Sequence, residues 1–203
     1  MKQEEMEVSK KRIRHLMEKM ELRAVYPKPR LTKAGKEHEK YKYLLRNKQI
    51  RYPNQVWASD ITYIKLEGGS HVYLVVVIDL YSRKVLSRRF SNTIDKYFCM
   101  DALNEAIKRY GVPSIFNTSQ GSHFTNDGFT DILKKKKVEI NMNGKERALD
   151  HIFVEKFFRS LKCEKIYINT YSSMKTVKQA TKDYIKFYNT KRLHQKLDYF
   201  TPI

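Results

Sequence analysis

Residues 56–80, VWASDITYIKLEGGSHVYLVVVIDL, decide the fold class of this 203-residue chain. The first nine residues are rich in Val, Ile, Thr, Trp and Tyr, which favours a β-strand. Gly68 and Gly69 predict a turn. The apolar run that follows is typical of a strand buried on both faces. These residues therefore predict two strands joined by a turn, the second of them in a protein core.

The surrounding segments predict further strands and helices, in the order β-β-β-α-β-α-β-α-α. Three strands in succession, followed by strands that alternate with helices, favour a mixed sheet with helices packed on it, which is an α/β fold. Asn126 is a suitable N-cap for the second of these helices. Beyond the opening pair, the strands are expected at residues 85–90, 114–117 and 138–142, and the helices at 95–110, 126–136, 146–165 and 173–190. A basic helix over residues 3–23 precedes them all.

The charge of the chain points to a polyanionic partner. Lys and Arg number 41 against 22 Asp and Glu, a formal net charge of +19, and nucleic acid is the partner that such an excess predicts. The excess is concentrated in residues 1–50 and 151–203, so we expect basic arms or faces on either side of a folded core. The alternative is a chain of solvated surface helices.

Other features of the composition narrow the class of protein. No stretch approaches the roughly 20 apolar residues of a membrane span, and the N-terminus lacks the apolar segment of a signal peptide. Cys99 and Cys163 are too few for a disulfide framework. We therefore expect no membrane partner and a location in a reducing cytosol.

Two acidic residues lie in or at the end of the predicted opening strands. Asp60 interrupts an apolar strand, where a carboxylate is costly unless it is paired or binds a metal. On a period of two it shares a face with Ala58 and Thr62. Asp79 ends the next strand, where the alternatives are a site residue or a group that caps a turn or pairs with Arg83.

A third acidic residue, Glu155, belongs to the long amphipathic helix predicted at residues 146–165. His151, Glu155 and Arg159 recur every four residues and so share one stripe of that helix. By itself, a glutamate on such a basic helix is more typical of a surface ion pair.

Several motifs in a fixed order carry a family resemblance. They are WASDITYI, YLVVVIDLYSRKVL, FNTSQGSHFTN, RALDHIFVEKFFRSLKCEKIY and FYNTKRLHQKLDYFTP. Together they resemble the catalytic core of orfB-type insertion-sequence transposases in the retroviral-integrase (DDE) superfamily. The resemblance implies a ribonuclease-H-like fold, with a mixed five-stranded sheet and flanking helices, preceded by a basic helical segment.

The same resemblance suggests how the chain is divided. Residues 10–29 resemble the tail of the helix-turn-helix region that precedes the core in these transposases. We expect residues 1–26 to be a remnant of that DNA-binding region and residues 54–203 to be the integrase-like core. Residues 27–53 are rich in proline and charge and are predicted to be a linker.

In this family three carboxylates hold two divalent ions, Mg²⁺ or Mn²⁺, which activate the attacking oxygen and stabilise the leaving oxygen of a phosphodiester. Asp60 matches the first carboxylate and Glu155 the third. The second is expected where this chain has Ser119, in the segment NTSQG at residues 117–121. The spacing from position 119 to Glu155 is the family's usual one. We therefore predict that DNA strand cleavage and strand transfer are severely impaired.

The sequence also offers candidates for a substitute metal ligand and for contacts with DNA. His151, Asp127 or Glu139 are the candidates to replace the missing carboxylate. Basic residues near Glu155 and after the last helix are candidates for phosphate contacts, with a solvated face as the alternative. They are Lys156, Arg159, Lys162, Lys191 and Arg192.

The resemblance also implies partners and a location. They are transposon ends and target DNA, a homo-oligomer assembled on that DNA, and the bacterial cytosol or nucleoid. The alternative function is an inactive DNA-binding remnant, or an inhibitor of an active transposase.

Overall fold

The computed structural model describes residues 9–22, 44–45, 48–143 and 152–202. The chain divides into two compact units, Met1–Arg30 and Leu31–Ile203. In the first unit, helix α1 (Lys10–Lys19) begins after Ser9, whose hydroxyl accepts a hydrogen bond from the backbone N–H of Arg12. The helix ends four residues before the predicted Arg23, and its predicted start lies outside the described residues. No residue of α1 is buried.

A five-stranded sheet forms the centre of the second unit. Strands β1 and β2 pair antiparallel, as do β2 and β3, whereas β1 and β4 pair parallel, as do β4 and β5. The order across the sheet is β3-β2-β1-β4-β5, which confirms the predicted mixed five-stranded sheet. The strands are β1 (Val56–Lys65), β2 (His71–Asp79), β3 (Val85–Ser91), β4 (Ile115–Ser119) and β5 (Glu139–Asn143).

In the described part of the chain, the helices follow the predicted order with three additions. Asp95 caps the first helix after β3, and Asn126 accepts a hydrogen bond from the N–H of Phe129 as predicted. The additions are a four-residue helix after β4, a π-helical turn at the end of the predicted long helix and a 3₁₀ turn after the last helix. The elements are α2 (Lys96–Tyr110), α3 (Ser122–Thr125), α4 (Asp127–Lys135), α5 (Ile152–Leu161), the π-helical turn Lys162–Ile166, α6 (Met174–Thr190) and a 3₁₀ turn, Gln195–Leu197.

The sheet is covered on both faces, because side chains alternate along each strand. Val56, Ala58, Leu74, Val76 and Ile78 pack with residues of α5 and α6, such as Val154, Phe157, Leu161 and Ile185, on what we name the α5/α6 face. Trp57, Val75 and Val77 pack with residues of α2 and α4, such as Leu103, Phe129 and Leu133, on the α2/α4 face. Within the described residues, no helix has the length and apolar character needed to cross a membrane.

Asp79 caps the turn after β2, which was one of the roles predicted for it. It is 1% exposed. Its Oδ1 accepts a hydrogen bond from the backbone N–H of Asn54 at 3.0 Å, and its Oδ2 accepts from the N–H and hydroxyl of Ser82 at 2.8 and 2.6 Å. The Arg83 side chain instead donates to the carbonyl oxygen of Leu80, and its guanidinium lies 3.5 Å from the ring centroid of Phe153.

Replacing Asp79 with alanine tests this role. We expect Asp79→Ala to lower the free energy of unfolding by about 2–4 kcal/mol, because buried hydrogen bonds to a charged acceptor contribute about 1.5–3 kcal/mol each and two backbone donors lose their partner. Urea unfolding monitored by circular dichroism measures the change. The control is Asp131→Ala, at an exposed position of α4. Equal stability of the two variants would contradict the capping role.

Candidate active site

The parallel pairing of β1 with β4 brings Asp60 to position 119. The register pairs Ala58 with Asn117 and Ser59 with Thr118. Continued by one residue, it sets Asp60 beside Ser119, the last residue of β4. Neighbouring strands lie about 4.8 Å apart, and paired residues direct their side chains to the same face. Both residues therefore lie on the α5/α6 face, which Asp60 shares with Ala58 two residues earlier in β1.

Polar side chains continue along this face of the sheet. In the next row, the Asn141 side-chain amide donates to Asn117 Oδ1 at 2.7 Å, and Asn141 Oδ1 accepts from the N–H of Leu44 at 2.6 Å. Two further buried atoms, Asn117 Nδ2 and Thr62 Oγ1, have no hydrogen-bond partner among the described residues. Asp60 is thus flanked along its face by neutral amide and hydroxyl groups.

Glu155 is carried to the same face by α5. Val154, Phe157 and Leu161 bury this helix in the core that also holds Ala58. Glu155 lies in the first turn of α5 and is exposed. The structure therefore brings Asp60, Ser119 and the helix that carries Glu155 to one face of the sheet.

The side chains at these three positions do not fit a two-metal site built on three carboxylates. Asp60 and Glu155 can each supply anionic oxygens, but the Ser119 hydroxyl is neutral. Among the residues that the structure describes, no group of three or more His, Cys, Asp or Glu side chains could hold a metal ion. His151, a candidate substitute, lies outside the described residues, so that hypothesis stays a prediction.

The other two candidate substitutes lie elsewhere. The register pairs Glu139 with Ile115, at the opposite end of β4 from Ser119. The four intervening steps correspond to about 13 Å along a strand. Asp127 is exposed at the start of α4, a helix whose buried residues belong to the α2/α4 face. The hypothesis that Glu139 replaces the missing carboxylate is therefore wrong, and Asp127 belongs to the helix layer on the opposite face.

The candidate DNA contacts differ in their surroundings. Lys156, Arg159 and Lys191 are exposed, so their charges face solvent. Lys162 is half-buried, with its Nζ 5.1 Å from the ring centroid of Tyr63. Tyr63 is 50% exposed and makes an edge contact with His71, in the part of β1 that extends beyond its pairing with β4.

Arg192 is held within the fold by Glu164. Its Nη2 lies 2.6 Å from Glu164 Oε1, and the Tyr184 hydroxyl donates to Glu164 Oε2 at 2.7 Å. Burial raises the pKa of Glu164, but the hydrogen bonds from Arg192 and Tyr184 outweigh it and hold the pKa below its ordinary value. His194 packs edge-on against Tyr188. The charge of Arg192 is therefore largely offset by a neighbouring carboxylate.

Sequence reasoning missed the pair formed by Asn117 and Asn141. An asparagine in each of two short apolar strands was the available signal. Nothing in the sequence fixes the register that makes these two residues neighbours.

A mixed five-stranded sheet in the order β3-β2-β1-β4-β5, with helices on both faces and an acidic residue in its central strand, is the arrangement expected of a ribonuclease-H-like integrase core. One family model, the integrase core domain, matches residues 51–148, and a second integrase core model matches residues 155–203. The chain belongs to the integrase core family of insertion-sequence transposases.

Curated relatives support the same assignment. The transposase for insertion sequence element IS904 of Lactococcus lactis is 33% identical over 74% of this chain and 60% of its own length. Transposase InsF for IS3A of Escherichia coli is 35% identical over 70% of this chain and 50% of its own length. The chain thus spans about half to three fifths of the length of these relatives.

The fold is also similar to a solved integrase. The catalytic core of HTLV-2 integrase, determined with magnesium in a trimeric form, superposes with a TM-score of 0.57 at 18% identity. The match covers 74% of this chain and 94% of the viral one. At this identity the likeness establishes the fold.

The Glu164–Arg192 pair predicts an acid-sensitive contribution to stability. Because the folded-state pKa of Glu164 is lowered, the pair stabilises the fold above the ordinary glutamate pKa, and this contribution is lost as pH falls through the folded-state value. Glu164→Gln should be less stable than the unaltered chain at neutral pH. It should also lose less stability on acidification.

Thermal unfolding at pH values from neutral to about 3, below the ordinary glutamate pKa of about 4.3, measures this difference. The control is Glu139→Gln, at an exposed position of β5. Parallel pH profiles for the unaltered chain and Glu164→Gln would refute the prediction.

Proposed function

We propose that this chain acts in DNA transposition, as an insertion-sequence transposase core whose metal-dependent strand cleavage is impaired at Ser119. The named relatives are transposases of this family, which supports the class of reaction. The observation that carries the proposal of impairment is the strand register, which sets a neutral hydroxyl beside Asp60. Since the chain spans only part of its relatives, the activity of the whole protein belongs to the proposal.

The chemistry explains why position 119 matters. Two Mg²⁺ or Mn²⁺ ions bound at such a site would activate the attacking oxygen and stabilise the leaving oxygen of a phosphodiester. The magnesium in the HTLV-2 integrase core supports this cofactor class. In this chain Asp60 and Glu155 would supply anionic ligands, and Ser119 would not. Loss of a group that merely orients a ligand costs about 10–100-fold in affinity or activity, and loss of a direct anionic ligand should cost more.

The proposed substrate is DNA, both as transposon ends and as target. Lys156, Arg159 and Lys191 are exposed cations, and Lys162 lies nearby on the π-helical turn. Such residues contact phosphates without reading sequence. The trimeric form of the HTLV-2 core supports the association of several copies, and that this association takes place on DNA is part of the proposal. The bacterial relatives support a location in the cytosol or nucleoid of a bacterium.

A second function is a DNA-binding protein that blocks transposon ends or inhibits an active transposase by mixed assembly. This function is favoured by the contrast between an intact fold and an incomplete set of metal ligands. Both cores of the sheet are filled by apolar side chains, while a carboxylate is missing from position 119. A chain of this kind retains a binding surface without the chemistry.

Restoring the carboxylate tests the proposed function. Ser119→Asp should nick and join supercoiled DNA in the presence of Mn²⁺ at least about 10–100-fold faster than the unaltered chain, given the cost of weakened metal ligation. Ser122→Asp adds the same charge at an exposed position of α3 and should leave the rate unchanged. Adding Glu155→Ala to Ser119→Asp should abolish the gain.

Other outcomes separate the two functions. Activity of the unaltered chain that is lost in Glu155→Ala would refute the impairment. If Ser119→Asp stays inactive but the chain binds transposon ends and slows an active transposase of the same family, the inhibitor function replaces the first proposal.

A further inference from the structure

A second basic surface lies at the β3 edge of the sheet. An open cleft of about 810 Å³ runs between β3, α2 and α6. Six cationic side chains line it, and Glu105 is the only carboxylate among its described lining residues. We name it the β3 cleft, and its cations are Arg88, Arg89, Arg109, Lys175, Lys178 and Lys182.

The single carboxylate cannot offset this charge. Glu105 forms ion pairs with Arg89 and with Arg109, the latter at 2.8 Å. In the part of the chain that the structure describes, no carboxylate pairs with Arg88. Burial, followed by the repulsion of Arg109 and Arg89, lowers the pKa of Arg88. The inner wall of the cleft therefore holds three guanidinium groups and one carboxylate, a net positive charge that favours an anionic ligand.

The outer wall of the cleft is a row of lysines on α6. Lys175, Lys178 and Lys182 are exposed and spaced three and four residues apart, so they follow one side of the helix. They extend over about 10 Å at a rise of 1.5 Å per residue. One strand of duplex DNA carries about three phosphates over that length at about 3.4 Å each. Asp183, beside this row, accepts hydrogen bonds from Gln179.

The β3 cleft is separate from the candidate active site. Arg88 pairs with Val76 in the sheet, and Val76 pairs with Asp60. Arg88 and Asp60 are thus two strands apart, about 10 Å at the usual spacing, and fully buried Val76 lies between them. Because cross-strand partners direct their side chains to the same face, Arg88 lies on the same face of the sheet as Asp60, and the width of β2 separates the cleft from Asp60 and Ser119.

We propose that the β3 cleft binds the sugar-phosphate backbone of duplex DNA as a second contact surface, in addition to the residues beside Glu155. The inference rests on the proposed function only in taking DNA as the polyanion. A second copy of the chain is a poor occupant, because it would bring six cations against six. Charged residues on an edge strand also discourage pairing with another strand.

Neutralising the α6 lysines tests this surface in the full chain. The variant Lys175→Gln/Lys178→Gln/Lys182→Gln is compared with Lys134→Gln/Lys135→Gln/Lys136→Gln, which removes the same charge at exposed positions of α4 and its C-cap. Binding of a fluorescein-labelled duplex of mixed sequence is measured by anisotropy at several salt concentrations. The slope of log affinity against log salt should fall in magnitude by about 2–3 for the α6 variant, because each neutralised phosphate contributes about 0.9. It should not change for the α4 variant.

Two further variants make the outcome specific. Replacing the three α6 lysines by arginine should preserve the slope, which excludes an effect of altered folding. Lys156→Gln/Arg159→Gln tests the surface beside Glu155. If that variant loses affinity while the α6 variant keeps the slope of the unaltered chain, the β3 cleft proposal is refuted and the proposed function stands. Equal losses in the α6 and α4 variants, or no binding by the unaltered chain, would also refute it.

Discussion

The parallel pairing of β1 with β4 is the constraint on which the candidate site depends. Trp57 and Ala58, adjacent in β1, are both fully buried on opposite faces of the sheet. A shift of the β1 pairing register by one residue would turn the side chains of each face to the opposite face and disrupt their packing. Burial on both faces therefore fixes the register, and the register fixes which residue stands beside Asp60. Whether position 119 can supply an anionic metal ligand then depends only on the side chain at that position.

This arrangement separates the stability of the fold from its chemistry. Ser119 lies at the end of β4, whereas the apolar core residues of that strand, Ile115 and Phe116, lie at its start. A change at position 119 can remove an anionic ligand without creating a cavity in either core. The cationic residues proposed to contact DNA likewise lie at exposed or half-buried positions, outside both apolar cores. A chain of this family can thus keep its fold and its basic surfaces while its active site changes.

The sequence predicted the sheet and most helices, because burial patterns and caps are local signals. Asn126 predicted the start of α4, and the apolar run of β2 predicted a strand buried on both faces. Four-residue α3 is too short to show a period, and the π-helical turn has no signature that periodicity detects. That Asp60 and position 119 belong to one site was predicted only from the family resemblance. The Asn117–Asn141 pair and the β3 cleft depend on neighbours across strands and helices, which no local pattern specifies.

The most direct measurement of the central claim is the affinity for Mn²⁺ without DNA. Isothermal titration calorimetry would compare the unaltered chain with Ser119→Asp and with the Ser122→Asp control. If position 119 stands beside Asp60 and lacks the ligand, Ser119→Asp should bind Mn²⁺ more than about tenfold more tightly than either of the others. Equal affinities for all three proteins would contradict the account.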